Sequence, residues 1–169
     1  IKIAVANGFG ELIIGQGGLL STPAASHIIR KNKAFGGLVL SASHNQGGPD
    51  EDFGIKYNVS NGGPAPEKYT DAFFKRSQVI NHYKSSPLED IDLDRIGSQQ
   101  LGNFKITIID PVTDYAELMQ SIFDFNLLRQ CISSSYITLL FDSMHAITGP
   151  YAKRILVDML GASPESVIN

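Results

Sequence analysis

The sequence predicts an α/β protein in which a mixed β-sheet is sandwiched between helices. Three observations carry this. Short apolar runs of strand length alternate along the chain with amphipathic segments of helix length. The loops richest in Gly, Ser, Asn and His fall at the ends of the apolar runs, where α/β proteins place chemistry. Hydrophobic residues make up 43% of the chain and charged residues 18%, a globular and not a disordered composition. Residues 37–40, 55–58 and 105–110 are expected to be strands of one sheet.

In chain order, residues 1–6 read as strand by composition. Asn7-Gly8-Phe9-Gly10 leads into a strand, Leu12-Ile13-Ile14. A dinucleotide fingerprint fails here because the required third glycine position holds Ile13, and the glycines precede a strand. Gly15-Gln16-Gly17-Gly18 lacks the Gly-Lys-Ser/Thr ending of a triphosphate-binding loop. Ser21-Thr22-Pro23 is a helix start, a hydroxyl cap with Pro just inside. Ala24, Ala25, Ile28 and Ile29 then form a buried face to about residue 31. His27, with no second ligand type a turn away, reads as a partly exposed helical residue.

A strand at 37–40 runs into Ser41-Ala42-Ser43-His44-Asn45-Gln46-Gly47-Gly48-Pro49 and the acidic Asp50-Glu51-Asp52, and a strand at 53–58 leads away. By residue type alone this loop is a turn. After a second Gly/Pro loop, a helix is expected over 67–78 with Tyr69, Ala72 and Phe73 in the core. Residues 84–102 read as a polar surface excursion with short helical pieces. A strand at 105–110 is closed by Pro111. Helices follow at 114–123 and 126–132, the second with Leu127, Leu128, Cys131 and Ile132 on one face and Cys131 buried. Residues 137–141 read as a fully buried strand and 142–149 as the loop at its end. From Pro150 a helix presents Ala152, Ile155, Leu156, Met159 and Leu160 on one face and stops at Gly161.

The 169 residues suit one large domain or parts of two. Fourteen basic and seventeen acidic residues give a net charge of −3 without any basic run, so nucleic acid is not an expected partner. No apolar run reaches membrane-spanning length, and the first residues lack a signal-peptide pattern. The single Cys131 cannot form an internal disulfide, and a reducing, cytoplasmic location is the simpler expectation.

The loop Ser41-Ala42-Ser43-His44-Asn45-Gln46-Gly47-Gly48 resembles the active-site loop of the α-D-phosphohexomutases, whose usual form is Thr-Ala-Ser-His-Asn-Pro-Gly-Gly. Asp52-Phe53-Gly54-Ile55-Lys56-Tyr57-Asn58 and Asn61-Gly62-Gly63-Pro64-Ala65-Pro66 continue the match in register. Together they resemble the eukaryotic-type, parafusin-like phosphoglucomutase branch. Family members have four domains. The resemblance therefore implies an N-terminally incomplete first domain over residues 1–110, carrying the phosphoserine loop, and the beginning of a second over 111–169. It also makes residues 1–6 the end of a helix stopped at Gly8.

The activity implied is interconversion of glucose 1-phosphate and glucose 6-phosphate through a phosphoserine and a glucose 1,6-bisphosphate intermediate. This stretch alone is expected to be inactive. Ser43 is the implied phosphoryl carrier. His44 is a hydrogen-bonding group near the phosphate. Lys56 is a cation that acts as general base toward the sugar hydroxyl or holds the phosphate. Asn45, Gly47 and Gly48 shape the phosphate-binding loop. A phosphoserine carries about −1.5 to −2 charge, and phosphoryl transfer is catalysed by positioning and charge neutralisation, so this loop chemistry suits the reaction. Mg2+ is implied as cofactor, with Ser43 a ligand through its phosphate and the others from an Asp-x-Asp-x-Asp loop outside residues 1–169. Asp50-Glu51-Asp52 is no substitute, because consecutive carboxylates do not converge on one octahedral ion; it reads as a solvated acidic turn.

A serine-hydrolase reading fails on the absent G-x-S-x-G elbow and on His44 being the neighbour of Ser43, which in extended chain would point away. Three departures from the family loop stand out: Ser41 for Thr, Gln46 for Pro and Glu51 for a small residue. They keep open a second reading, a non-catalytic phosphoglucomutase-like protein with a structural or secretion-associated role.

Overall fold

The computed structural model describes residues 1–134 and 136–169. Helix α1 (Lys2–Ala6) ends where the family resemblance placed its stop. Gly8 takes φ +81°, its N–H donates to Val5 O at 3.0 Å, and Phe9 N–H donates to Ala4 O at 3.1 Å. Both bonds satisfy carbonyls orphaned at the helix end, the pattern of a Schellman stop. Strand β1 (Glu11–Gly15) and helix α2 (Thr22–Lys31) follow. The Ser21 hydroxyl caps α2 by accepting the Ala24 N–H at 3.3 Å, and Ala24, Ile28 and Ile29 are buried on its inner face.

Strands β2 (Gly36–Leu40) and β3 (Ile55–Val59) are followed by helix α3 (Glu67–Ser77). Strands β4 (Gly97–Leu101) and β5 (Phe104–Ile109) lead to helices α4 (Thr113–Ile122) and α5 (Phe125–Ser133). Strand β6 (Phe141–Asp142), helix α6 (Thr148–Ala152), continued by a wider π-type segment Lys153–Met159, and strand β7 (Val167–Ile168) complete the chain.

The α/β class and the mixed sheet hold: β5 pairs parallel with β1 on one edge and antiparallel with β4 on the other. The expectation of one sheet does not. Residues 37–40 and 55–58 are strands, but β2 and β3 pair antiparallel with each other in a separate two-stranded sheet. A strand has two edges, and those of β5 are filled by β1 and β4. Apolar content marks a strand without saying which edge it meets.

Strand β4 is itself a correction, since residues 84–102 read as irregular. Leu101 pairs with Phe104 across Gly102-Asn103, with Gly102 at φ +61°. Glycine with positive φ at the first position of a two-residue loop makes a tight hairpin. Only the polar composition of this edge strand hid it.

Burial alternates strictly along β5, with Phe104, Ile106 and Ile108 forming one core cluster against Ile1, Val5, Leu12 and Ile14. A second cluster joins Ala24 of α2 to Val112, Ala116 and Tyr151. The Tyr151 hydroxyl also accepts the Ser21 N–H at 3.0 Å, which ties α6 to the start of α2.

Other expectations fail where an apolar face lacks a neighbour. No residue of α3 is buried: Tyr69 and Phe73 are exposed, although Phe73 meets Tyr57 edge-to-face at 5.6 Å. In α5, Phe125 is the buried residue, Leu127 is exposed and Cys131 is half-buried. Residues 137–141 are not a buried strand. Only Phe141 and Asp142 pair, because β7 offers two partners, and Ile137 and Leu140 are exposed.

At the end of β5, one Asp110 oxygen accepts from Val112 N–H and Thr113 N–H, both at 2.8 Å, and from the Thr113 hydroxyl at 3.0 Å; Arg154 lies 3.6 Å from the other. Partial burial alone pushes the carboxyl up, but these bonds and the Arg154 charge together hold it below the usual carboxylate range. Asp110→Ala is expected to destabilise the protein by about 1–2 kcal/mol, as for a lost helix-start acceptor. Because the folded value is depressed, this contribution is present above the unfolded carboxylate value and disappears as pH falls through the folded one. Urea unfolding of wild type and variant should differ at pH 7 and converge on acidification below about pH 4.

Candidate active site

The loop between β2 and β3 begins where their ladder ends at the Leu40–Ile55 pair. One more bond, from Ser41 N–H to Gly54 O at 2.9 Å, closes its neck. A Cβ at position 54 would stand 2.8 Å from the Ser41 carbonyl oxygen, so the neck requires glycine.

Above the neck the chain turns back at once, with Asn45 N–H donating to Ala42 O at 3.1 Å. Ser43 sits at the corner of this turn with φ +63°, a left-handed conformation that costs a non-glycine residue about 1–2 kcal/mol. The Ser41 hydroxyl accepts the Ser43 N–H at 2.9 Å and helps to hold it there. The turn brings Ser43 Oγ within 3.4 Å of His44 Nδ1, which overturns the expectation that these neighbours point apart. That expectation assumed an extended backbone at Ser43. The contact still does not build a hydrolase triad, because among the described residues no carboxylate bonds to His44 to orient it.

The other side of the loop is braced by Asp52, read from the sequence as a solvated acidic residue. Its carboxylate accepts from Asn45 Nδ2 at 2.6 Å, and its N–H donates to Gln46 O at 3.2 Å. Gly48 O accepts the Glu51 N–H at 3.2 Å and closes the tip. The signal for Asp52 was its place beyond the Gly-Gly-Pro turn from Asn45, where a donor and an acceptor face each other.

Gly47 and Gly48 both have room for a Cβ, the closest approaches being 3.4 Å to Ala42 and 3.7 Å to Glu51. These glycines therefore leave the loop backbone uncovered without being forced by sterics. Lys56 lies on β3 opposite Val39, one register step below the loop. It is exposed and, among the described residues, its side chain has no ion-pair or hydrogen-bond partner, Ser43 included. Ser43, His44, Asn45, Gly47 and Gly48 are likewise exposed. The arrangement is an open rim with a hydroxyl at its corner, an imidazole beside it and a cation on the adjoining strand. It presents Ser43 to a reactant from solvent without enclosing one.

Among the described residues no group of three or more His, Cys, Asp or Glu side chains can hold a metal ion.

Comparison with known proteins agrees with the loop resemblance. The family model for phosphoglucomutase/phosphomannomutase, α/β/α domain I, matches residues 1–83. A phosphoglucomutase of Rhizobium radiobacter is 60% identical over 169 residues, covering 100% of this chain and 31% of that protein. A chloroplastic phosphoglucomutase of Arabidopsis thaliana is 52% identical, again over 100% of this chain and over 27% of its own length. Among solved structures, the open form of the exocytosis-sensitive phosphoprotein pp63/parafusin, a phosphoglucomutase from Paramecium, superposes with a TM-score of 0.93 at 43% identity. It covers 100% of this chain and 32% of its own. The chain thus spans about a third of the length of the relatives it matches. Residues 1–83 thus match the first domain of the phosphoglucomutase/phosphomannomutase family, and the similarity to phosphoglucomutases is sustained along the whole chain.

Proposed function

We propose that this chain is the serine-bearing part of a phosphoglucomutase that interconverts glucose 1-phosphate and glucose 6-phosphate. The observation that carries the proposal is Ser43 itself, exposed at the corner of a loop that keeps the family's Ser-His-Asn-x-Gly-Gly pattern. Phosphoserine 43 gives its phosphoryl group to a hydroxyl of the hexose monophosphate. The Ser43 Oγ–P bond breaks as the sugar O–P bond forms, and the hydroxyl proton leaves. The resulting glucose 1,6-bisphosphate turns over, and its other phosphate returns to Ser43 Oγ.

His44 hydrogen-bonds the phosphate from beside Oγ. Asn45, Gly47 and Gly48 offer polar and backbone groups along the rim. Lys56 takes the hydroxyl proton or neutralises the phosphate. The metal is proposed to be Mg2+; in this chain Ser43 would hold it through its phosphate, and there it would supply charge neutralisation.

The division at residue 110, with a first domain over 1–110 and the beginning of a second over 111–169, belongs to the same proposal. It is supported by β5 ending there. Hexose phosphates are the proposed partners, with neither nucleic acid nor membrane among them. No helix among the described residues is long and apolar enough to cross a membrane. A cytoplasmic location is proposed, although the Arabidopsis thaliana relative is named chloroplastic. The enzymatic reading is preferred to the secretion-associated one because Ser43 is retained, although the similar pp63/parafusin is named exocytosis-sensitive.

The test is conversion of glucose 1-phosphate by the full-length protein with Mg2+ and catalytic glucose 1,6-bisphosphate, together with intact-mass analysis and peptide mapping. One phosphate on Ser43 is expected. An active preparation with the phosphate on Ser41, or with none, overturns the assignment.

Glu51 places an exposed carboxylate on the same loop. Glu51→Gly is expected to raise kcat/KM by less than about fivefold, since screened surface charges interact by about 1 kcal/mol or less. The gain should shrink further at high ionic strength.

A further inference from the structure

We infer that Asp52 is a positioning residue for Ser43, acting through Asn45; the inference rests on the phosphotransfer reading of the loop. The turn that carries Ser43 runs from Ala42 to Asn45, joined by the Asn45 N–H to Ala42 O bond. Its near end is held at the neck, where Ser41 bonds Gly54 through its backbone and accepts the Ser43 N–H through its hydroxyl. Its far end is Asn45, and the side-chain anchor there is the 2.6 Å bond from Asn45 Nδ2 to Asp52 Oδ2.

Asp52 also fixes the next residue, because its N–H donates to Gln46 O at 3.2 Å and its backbone pairs with Gly47. Position 46 holds Gln, so no proline ring restricts φ there. Asp52 supplies the restraint from across the loop. A charge-assisted bond is stronger and more directional than a neutral one. Without it, the turn loses its far support, and the left-handed Ser43, at φ +63°, is free to relax toward the extended backbone that serine prefers. Relaxation would swing Oγ away from its place beside His44. Small misplacement of a reacting group lowers the rate of transfer more than it lowers binding.

The experiment compares steady-state kinetics of the full-length wild type, Asp52→Ala, Asp52→Asn, Asn45→Ala and the Asn45→Ala/Asp52→Ala double variant, with Ser43→Ala as reference. Asp52→Ala is expected to lower kcat by about 10- to 100-fold with KM within about twofold. Asp52→Asn, whose amide oxygen still accepts from Asn45, should recover kcat to within a few-fold of wild type. The double variant should be little worse than either alanine variant, because both break one bond. Intact-mass measurement of Ser43 phosphorylation by glucose 1,6-bisphosphate should slow in Asp52→Ala and recover in Asp52→Asn.

If Ser43→Ala is inactive but Asp52→Ala keeps wild-type kcat, the positioning role is wrong. The same holds if Asp52→Asn is as slow as Asp52→Ala, or if the two alanine effects simply multiply. If Ser43→Ala remains active, the phosphotransfer reading fails first, whatever Asp52 does. Asn45→Ala breaks the same bond without touching Asp52, so the inference stays open to refutation even if Asp52→Ala folds poorly.

Discussion

Ser43→Ala in the full-length protein is expected to leave no measurable conversion of glucose 1-phosphate. The substitution removes the oxygen proposed to carry the phosphoryl group between the two ends of the sugar, so the expected loss is of the carrier and not of a supporting contact. Removing a nucleophile outright typically lowers kcat by roughly 10⁴- to 10⁶-fold. The Ser41 hydroxyl is engaged by the Ser43 N–H at 2.9 Å in holding the turn and is not expected to stand in. Alanine still has a Cβ and meets the same left-handed backbone at φ +63°, so folding should be little changed. Kinetics, circular dichroism and intact mass check the result together: a folded protein, no turnover and no phosphate acquired from glucose 1,6-bisphosphate. Turnover near the wild-type rate would remove Ser43 from the mechanism.

Lys56→Met is expected to lower kcat by roughly 10²- to 10³-fold, the usual effect of losing one preorganised group that stabilises transition-state charge. Methionine keeps the length of the side chain and removes the ammonium. Lys56 is one register step below the loop and, among the described residues, has no carboxylate partner. Its charge is therefore not already committed to an ion pair, and it is available to a phosphate group docking at the rim. KM should rise as well if Lys56 also holds the substrate. Steady-state kinetics at fixed Mg2+ provide the check. Unchanged kcat and KM alongside an inactive Ser43→Ala would reduce Lys56 to a surface lysine of β3.

The sequence by itself determined the class, most of the elements and the loop. Local signals sufficed for these. The Ser21 cap and Pro23 begin α2, Gly161 with positive φ follows a helical segment, and the apolar spacing of β5 survives as strict alternation of burial. Each depends on backbone preferences acting within a few residues, so each can be read in one dimension.

Tertiary structure decided the rest. The residues that read as core in α3 and in 137–141 are exposed, because periodicity shows that a face is apolar but not that anything covers it. The polar edge strand β4 owes its existence to pairing with β5, a partner that its own residues do not announce. In the loop, the pairing of Asn45 with Asp52 and the left-handed turn that sets Ser43 Oγ beside His44 both arise from closure of the chain on itself. A hydrogen bond across a loop depends on where the two ends are held, and here β2 and β3 hold them.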